Sequence, residues 1–175
     1  MANKNYEASA WSVAWDWIKA IAIALIIAFL IKQFVFAFFQ VSGESMDRTL
    51  ANGERVLVDK IPYYFHQPQY NDIVVFHESA DEDWIKRVIG RPGDTILFKN
   101  GILYRNGKQV SEPYINGPMV PGDFGPYKIP QGDLFLMGDN RNVSKDSREI
   151  GPVKISQVIG RAEVVVFPFS KFKTL

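Results

Sequence analysis

Residues 17–39 are apolar almost without interruption, and no other stretch of the chain limits its possible folds so tightly. The unbroken part, residues 20–31, is shorter than the roughly 20 residues that a membrane-spanning helix needs. Extended through Lys32 and Gln33 to Phe39, it covers the ~30 Å hydrocarbon thickness at about 1.5 Å per residue, with Lys32 snorkelling toward the nearer headgroups. Trp11, Trp15 and Trp17 at one end and the phenylalanines at the other suit the two interfaces of such a span. A cleavable export signal would need a small-x-small pair after the run, whereas Ala20-x-Ala22-x-Ala24 lies inside it. A core helix of a soluble domain is the remaining reading. The pattern predicts a tail over residues 1–17, an uncleaved transmembrane anchor over 18–39 and a globular domain over 40–175. Charge does not orient the anchor: Glu7 and Asp16 accompany Lys4 and Lys19, and Arg48 and Arg55 follow the run.

The remainder reads as β-structure. Residues 55–58 and 72–76 are short and β-branched, bounded by Asn52-Gly53 and by the stretch 62–68 with its prolines. Residues 85–89 and 95–98 follow, parted by the turn cluster Gly90-Arg91-Pro92-Gly93-Asp94. Asn100-Gly101 and Asn106-Gly107 flank Ile102-Leu103-Tyr104, a strong hairpin signal because both residues of a type I′ turn need positive φ. Residues 113–132 are rich in Pro and Gly and read as a long loop or the edge of a small subdomain. Residues 134–137 and 163–167 complete the strands, and residues 155–158 are the one plausible helical turn or strand entry. The fold class expected is mainly β, an antiparallel β-sheet domain with long loops behind one N-terminal transmembrane helix.

Composition removes several functions. The formal net charge of +1, with basic residues scattered among acids, offers no field for nucleic acid. The absence of cysteine rules out a thiol nucleophile, thiolate zinc sites and disulfides together. Only His66 and His77 could serve a serine–histidine triad, and Met46-Asp47 follows Ser45 where a nucleophile elbow has its second glycine. His77-Glu78 lacks the second histidine of a zinc helix, and the loop from Gly101 to Lys108 is one residue too long for a phosphate loop. These residues offer no metal site.

Ser45, in the glycine-containing turn Val41-Ser42-Gly43-Glu44-Ser45-Met46 just beyond the anchor, is a candidate nucleophile, although such triplets are usually plain turns. The base left to it is a lysine. In Trp84-Ile85-Lys86-Arg87-Val88-Ile89, strand alternation puts Lys86 on the face of Trp84 and Val88, where its amine is partly desolvated. A drop of roughly 2–3 units from ~10.4 would leave a useful neutral fraction near neutral pH, at a cost of about 3–4 kcal/mol. A snorkelling strand lysine is the alternative.

Three motifs together resemble those of bacterial type I signal peptidases: Gly43-x-Ser45-Met46-x-x-Thr49-Leu50, Lys86-Arg87-Val88-Ile89-Gly90-x-Pro92-Gly93-Asp94, and Gly138-Asp139-Asn140-Arg141-x-x-Ser144-x-Asp146-Ser147-Arg148. The anchor before the first motif is similar too. The resemblance implies a membrane-anchored endopeptidase with a Ser45/Lys86 dyad that needs no cofactor. By the same token Ser144 is similar to the hydroxyl that orients the lysine, and Asp146 and Arg148 to a structural ion pair. Asp139, Asn140 and Arg141 take a supporting role. The implied partners are signal-peptide-bearing preproteins and the lipid bilayer, with a monomeric enzyme whose residues from about Gln40 onward lie outside the cytoplasm and whose tail lies inside. Small side chains one and three residues before the cut imply shallow apolar pockets, for which Val41, Met46, Leu50, Trp84 and Ile85 are the matching wall positions.

Two positions depart from the family. Arg48 stands where proline is usual, so a looser active-site turn is expected. Gly43 stands where some members have a serine that helps hold the oxyanion, which leaves the Ser45 backbone N–H, with Ser42 a possible helper. Two other functions compete. A self-cleaving repressor protease shares Ser/Lys chemistry but would need a DNA-binding region and no anchor. A non-catalytic, membrane-tethered docking module explains anchor and strands but not the three motifs.

Overall fold

The computed structural model describes residues 10–115 and 122–175. The chain divides between Val35 and Phe36 into two compact units. The first contains helix α1, Ala10–Phe34, whose residues are exposed from Trp11 to Phe34. A helix apolar all round has to bury that surface in protein or in lipid, and 24 residues at ~1.5 Å each are long enough to cross a bilayer. Its charges near the start are paired, Asp16 with Lys19 at 2.7 Å. The helix begins earlier and ends earlier than the span expected over 18–39. Phe36–Gln40 leave it and form strand β1, because their aromatic side chains suit a pleated surface and β2 (Arg55–Asp59) takes their backbone hydrogen bonds, Phe36 opposite Asp59. Of the tail expected over 1–17, residues 1–9 lie outside the described residues, and the rest belongs to α1.

The second unit is built on antiparallel strands. Helix α2 (Pro62–Phe65) opens on a proline and leads to β3 (Ile73–His77) and β4 (Asp83–Gly90). Next come β5 (Thr95–Lys99), β6 (Ile102–Arg105), β7 (Lys108–Gln109) and β8 (Phe124–Lys128), then β9 (Asp133–Met137) and the one-turn helix α3 (Ser147–Ile150). Strand β10 (Val153–Lys154), a 3₁₀ turn over Ile155–Gln157, the long β11 (Val158–Phe167), a second 3₁₀ turn over Phe169–Lys171 and β12 (Lys173–Thr174) complete the chain. The larger sheet runs β1-β2-β11-β3-β4-β9-β10, with β12 added to β11, and the smaller runs β7-β6-β5-β8.

Both Asn-Gly pairs form the hairpins expected, with positive φ at Asn100, Gly101, Asn106 and Gly107. Residues 155–158 form a helical turn that feeds β11, but α2 and α3 are further helical turns not expected there. The stretch 113–132 holds β8, and its residues 116–121 lie outside the described residues. A Gly-Pro pair inside β8 masks it as a loop, and the strand tolerates proline because it is the edge of its sheet.

Strands β3 and β9 are apolar without alternation because both of their faces are covered. Val75 packs into a first core with Val41, Met46, Leu50 and Val56, while Val74 and Phe76 enter a second with Val88, Leu134 and Leu136. Phe135 and Met137 turn to a third core beside the smaller sheet, with Ile96 and Phe98. Strand β4 runs between β3 and β9, so a polar residue at its centre is enclosed by strands on either side.

Candidate active site

Ser45 lies in the loop joining β1 to β2. The loop is closed at its base by the Val41 N–H donating to Glu54 O (2.8 Å) and the Gly53 N–H donating to Val41 O (2.9 Å). The Gly43 N–H donates to Asn52 Oδ1 at 3.1 Å, with Gly43 at φ 86°, a conformation that disfavours any side chain. A glycine there suits this loop's own backbone. Beyond Ser45 the chain turns inward, the Leu50 N–H donating to Met46 O at 2.8 Å, and both side chains are buried in the first core. Arg48 has φ 79°, which a pyrrolidine ring cannot reach, so this turn excludes the proline usual at that position. The turn is tied down rather than loosened: Arg48 Nη1 donates to the Ile115 carbonyl at 2.8 Å.

Lys86 reaches Ser45 from the centre of β4, opposite Val74. Its Nζ stands 2.9 Å from Ser45 Oγ and 3.1 Å from the Ile85 carbonyl, donating to both, and lies 5.2 Å from the centre of the Trp84 ring. Only 5% of the residue is exposed. Burial lowers the amine to about 8, against the Asp146 carboxylate, which favours the charged form. At pH 7 roughly a tenth of the lysine is then neutral and able to accept the Ser45 proton across the same contact.

The loop after β9 braces this pair from behind. The Asn140 N–H donates to the Ser45 carbonyl at 3.0 Å. Gly138 packs so closely that an added Cβ would stand 2.3 Å from Ser45 O and 2.4 Å from Ser144 Oγ. The Gly138 N–H donates to Ser144 Oγ and to Asp146 Oδ2, each at 3.2 Å. Ser144 is buried, and its hydroxyl meets Gly138, while the hydrogen bonds of Lys86 Nζ go to Ser45 and Ile85. Asp146 caps α3 through the Arg148 N–H (3.3 Å) and pairs with the Arg148 guanidinium at 2.8 and 3.0 Å. Arg148 also donates to the Arg141 carbonyl at 2.7 Å, which locks the loop.

A cleft of about 560 Å³ opens over Ser45 and Lys86. Phe39, Val41, Val56, Val75, Trp84 and Ile85 supply its apolar wall.

The signal peptidase, peptidase S26, family model matches residues 14–167. The chain belongs to the signal peptidase family. It is 43% identical to signal peptidase I of Bacillus licheniformis over 169 residues, covering 90% of this chain and 91% of that protein. Signal peptidase IB of Staphylococcus aureus strain Mu50 is 41% identical over 175 residues, covering 90% and 92%. A crystal structure of a signal peptidase I from Enterococcus faecalis V583 is 32% identical with TM-score 0.49, covering 55% of this chain and 97% of that one. The family's activity, removal of signal peptides by a serine endopeptidase, is the activity of this membrane-anchored chain.

Against the signal peptidase motifs, the fold brings Ser45, Lys86, Ser144, Asp146 and Arg148 together. Of the wall positions expected, Val41, Trp84 and Ile85 line the cleft. Met46 and Leu50 do not; the inward turn after Ser45 carries them into the core. Phe39, Val56 and Val75 escaped the sequence reading because their neighbourhood is made by pairing between distant strands. Arg87 escaped as well. Alternation sends it to the face opposite Lys86, where it is buried and donates through Nε and Nη2 to Asp139 at 2.8 and 2.6 Å. Thr49 donates to the same carboxylate, so one buried acid joins all three motifs. A buried arginine beside the lysine was the available signal, since such a charge requires a partner.

Proposed function

We propose that Ser45 is the nucleophile and Lys86 the general base of this signal peptidase, and that it cuts preproteins after small-x-small motifs. The observation that carries the reading is the 2.9 Å contact between Lys86 Nζ and Ser45 Oγ, made by an amine that burial brings to about 8. Neutral Lys86 takes the Ser45 proton as Oγ attacks the scissile carbonyl, and the Ser45 backbone N–H faces the developing oxyanion. Collapse of the tetrahedral adduct breaks the C–N bond, and the lysine returns its proton to the departing amine. A water deprotonated by Lys86 then attacks the Ser45 ester and releases the signal peptide, restoring the hydroxyl.

Ser144 and the Asp146–Arg148 pair position this machinery, while Val41, Trp84 and Ile85 face the small residues of an extended substrate in the cleft. One copy suffices, because both dyad members come from one chain. The domain after the anchor lies on the extracytoplasmic side, where a translocated preprotein presents its cut, and the chain before the anchor starts from the cytoplasmic side. Protease added to intact spheroplasts should digest that domain; a domain that survives until the membrane is broken would reverse the topology. The decisive experiment incubates purified protein in detergent with a preprotein and maps the cut. Ser45→Ala and Lys86→Ala should each abolish cleavage, and near-normal turnover in either would overturn the dyad.

A further inference from the structure

Three arginines, one from each motif, converge on a segment that belongs to none of them. Arg48, from the nucleophile's turn, donates to the Ile115 carbonyl at 2.8 Å. Arg87, next to the general base, stacks its guanidinium 4.0 Å from the centre of the Tyr114 ring. Arg141, from the loop behind Ser45, donates to Glu112 at 2.5 and 3.1 Å in an ion pair whose side chains are 1% and 7% exposed. The segment is held as one piece: the Tyr114 hydroxyl donates to Glu112 Oε1 (3.2 Å), the Ile115 N–H donates to Glu112 O (3.3 Å), and Tyr114 packs on the third core.

Each arginine has a second hold on the site. Arg87 carries Asp139, the acid that also binds Thr49. Arg141 Nε donates at 2.9 Å to the carbonyl of Gly138, the residue pressed against Ser45 and Ser144. Arg48 stands in the turn that Ser45 opens. General apolar packing would hold the sheets together without three directional contacts on four residues. A dyad assembled from strands and loops far apart in sequence needs such registration, because a displacement on the order of 1 Å can cost ~10²-fold in rate.

We propose that Glu112, Tyr114 and Ile115 form a positioning element that sets the three motif segments against one another and so fixes the separation of Ser45 and Lys86. This rests on the dyad reading above. None of the three touches the reacting atoms; they act through Arg48, Arg87 and Arg141.

The test uses the full chain in detergent with a cleavable preprotein. Arg48→Gly removes one tie without straining the backbone, since glycine accepts φ 79°. Tyr114→Leu removes the stacking platform. Each should lower kcat by about tenfold to a hundredfold with KM held within about twofold. Arg48→Lys and Tyr114→Phe, which keep a donor and a ring, should recover much of the lost kcat. Unchanged kcat in folded Arg48→Gly and Tyr114→Leu overturns the proposal, as does activity that falls only in step with the folded fraction in a thermal melt. If Tyr114→Leu does not fold, Arg48→Gly decides by itself. Ser45→Ala in the same assay separates the two readings. Residual cleavage there overturns the dyad, whereas an inactive Ser45→Ala beside fully active Arg48→Gly and Tyr114→Leu overturns the positioning role alone.

Discussion

Gly138 lies against Ser45 so closely that a methyl group on its Cα would stand 2.3 Å from the Ser45 carbonyl oxygen. That oxygen is fixed by the Asn140 N–H, so it cannot retreat without breaking a bond from the same loop. Gly138→Ala should therefore separate the loop from Ser45. Overpacking of this kind costs about 1–3 kcal/mol, and the displaced serine should lose on the order of 10²-fold in turnover. Denaturant melts and preprotein cleavage measure the two effects, and wild-type turnover in a folded variant would show that the loop does not brace Ser45.

The Lys86 amine sits at about 8 in the folded protein, below its unfolded value of 10.5. The proton balance then has a definite sign. Below pH 8 both states are charged, and the folded state bears the full burial penalty, about 3 kcal/mol by the shift alone. Between 8 and 10.5 the unfolded chain holds the extra proton, so the penalty fades as pH rises. Lys86→Met should thus be inactive yet more stable than wild type at pH 7 by about 1–3 kcal/mol, with the gap narrowing toward pH 9.5. Wild-type cleavage should rise with pH to a limb near 8. A gap that does not change with pH would show that the amine is not the destabilised group.

What the sequence reveals of this fold divides along physical lines. Runs covered on both faces, such as residues 73–76 and 134–137, and the two Asn-Gly hairpins are legible because their pattern is local. Strand β1 is not, since its phenylalanines continue an apolar run and only pairing with β2 marks the change. The approach of Lys86 to Ser45 is legible through the motifs and the alternation around Lys86. Its bracing is not: Arg87 finds Asp139 across 52 positions and Arg141 finds Glu112 across 29, choices that only the folded sheets make.

Leu50 follows Ser45 and Ile85 precedes Lys86, but the two do different work. Leu50 is fully buried in the first core, so Leu50→Ala should cost about 2–5 kcal/mol in stability while leaving the preference for small residues intact. Ile85 lines the cleft, and Ile85→Ala should admit larger side chains before the cut at little cost in turnover. A panel of preproteins varied at the two small positions checks both. Broadened specificity in Leu50→Ala, with Ile85→Ala unchanged, would reverse the assignment.

Asp139 is fully buried and neutralises an arginine that is nearly so. Asp139→Ala leaves Arg87 charged, buried and without its carboxylate, and should cost about 3–5 kcal/mol. It should also lower turnover, because Thr49 and the strand of Lys86 lose their common partner. The pair itself need not be stabilising: two desolvated charges repay little beyond their burial, so Arg87→Met with Asp139→Leu should regain most of the lost stability. Turnover should not return with it if the pair serves to align the motifs rather than to hold the fold. Denaturant melts and cleavage rates on the two single variants and the double variant separate these effects. A double variant that is both stable and fully active would show that the ion pair has no part in placing Ser45 against Lys86.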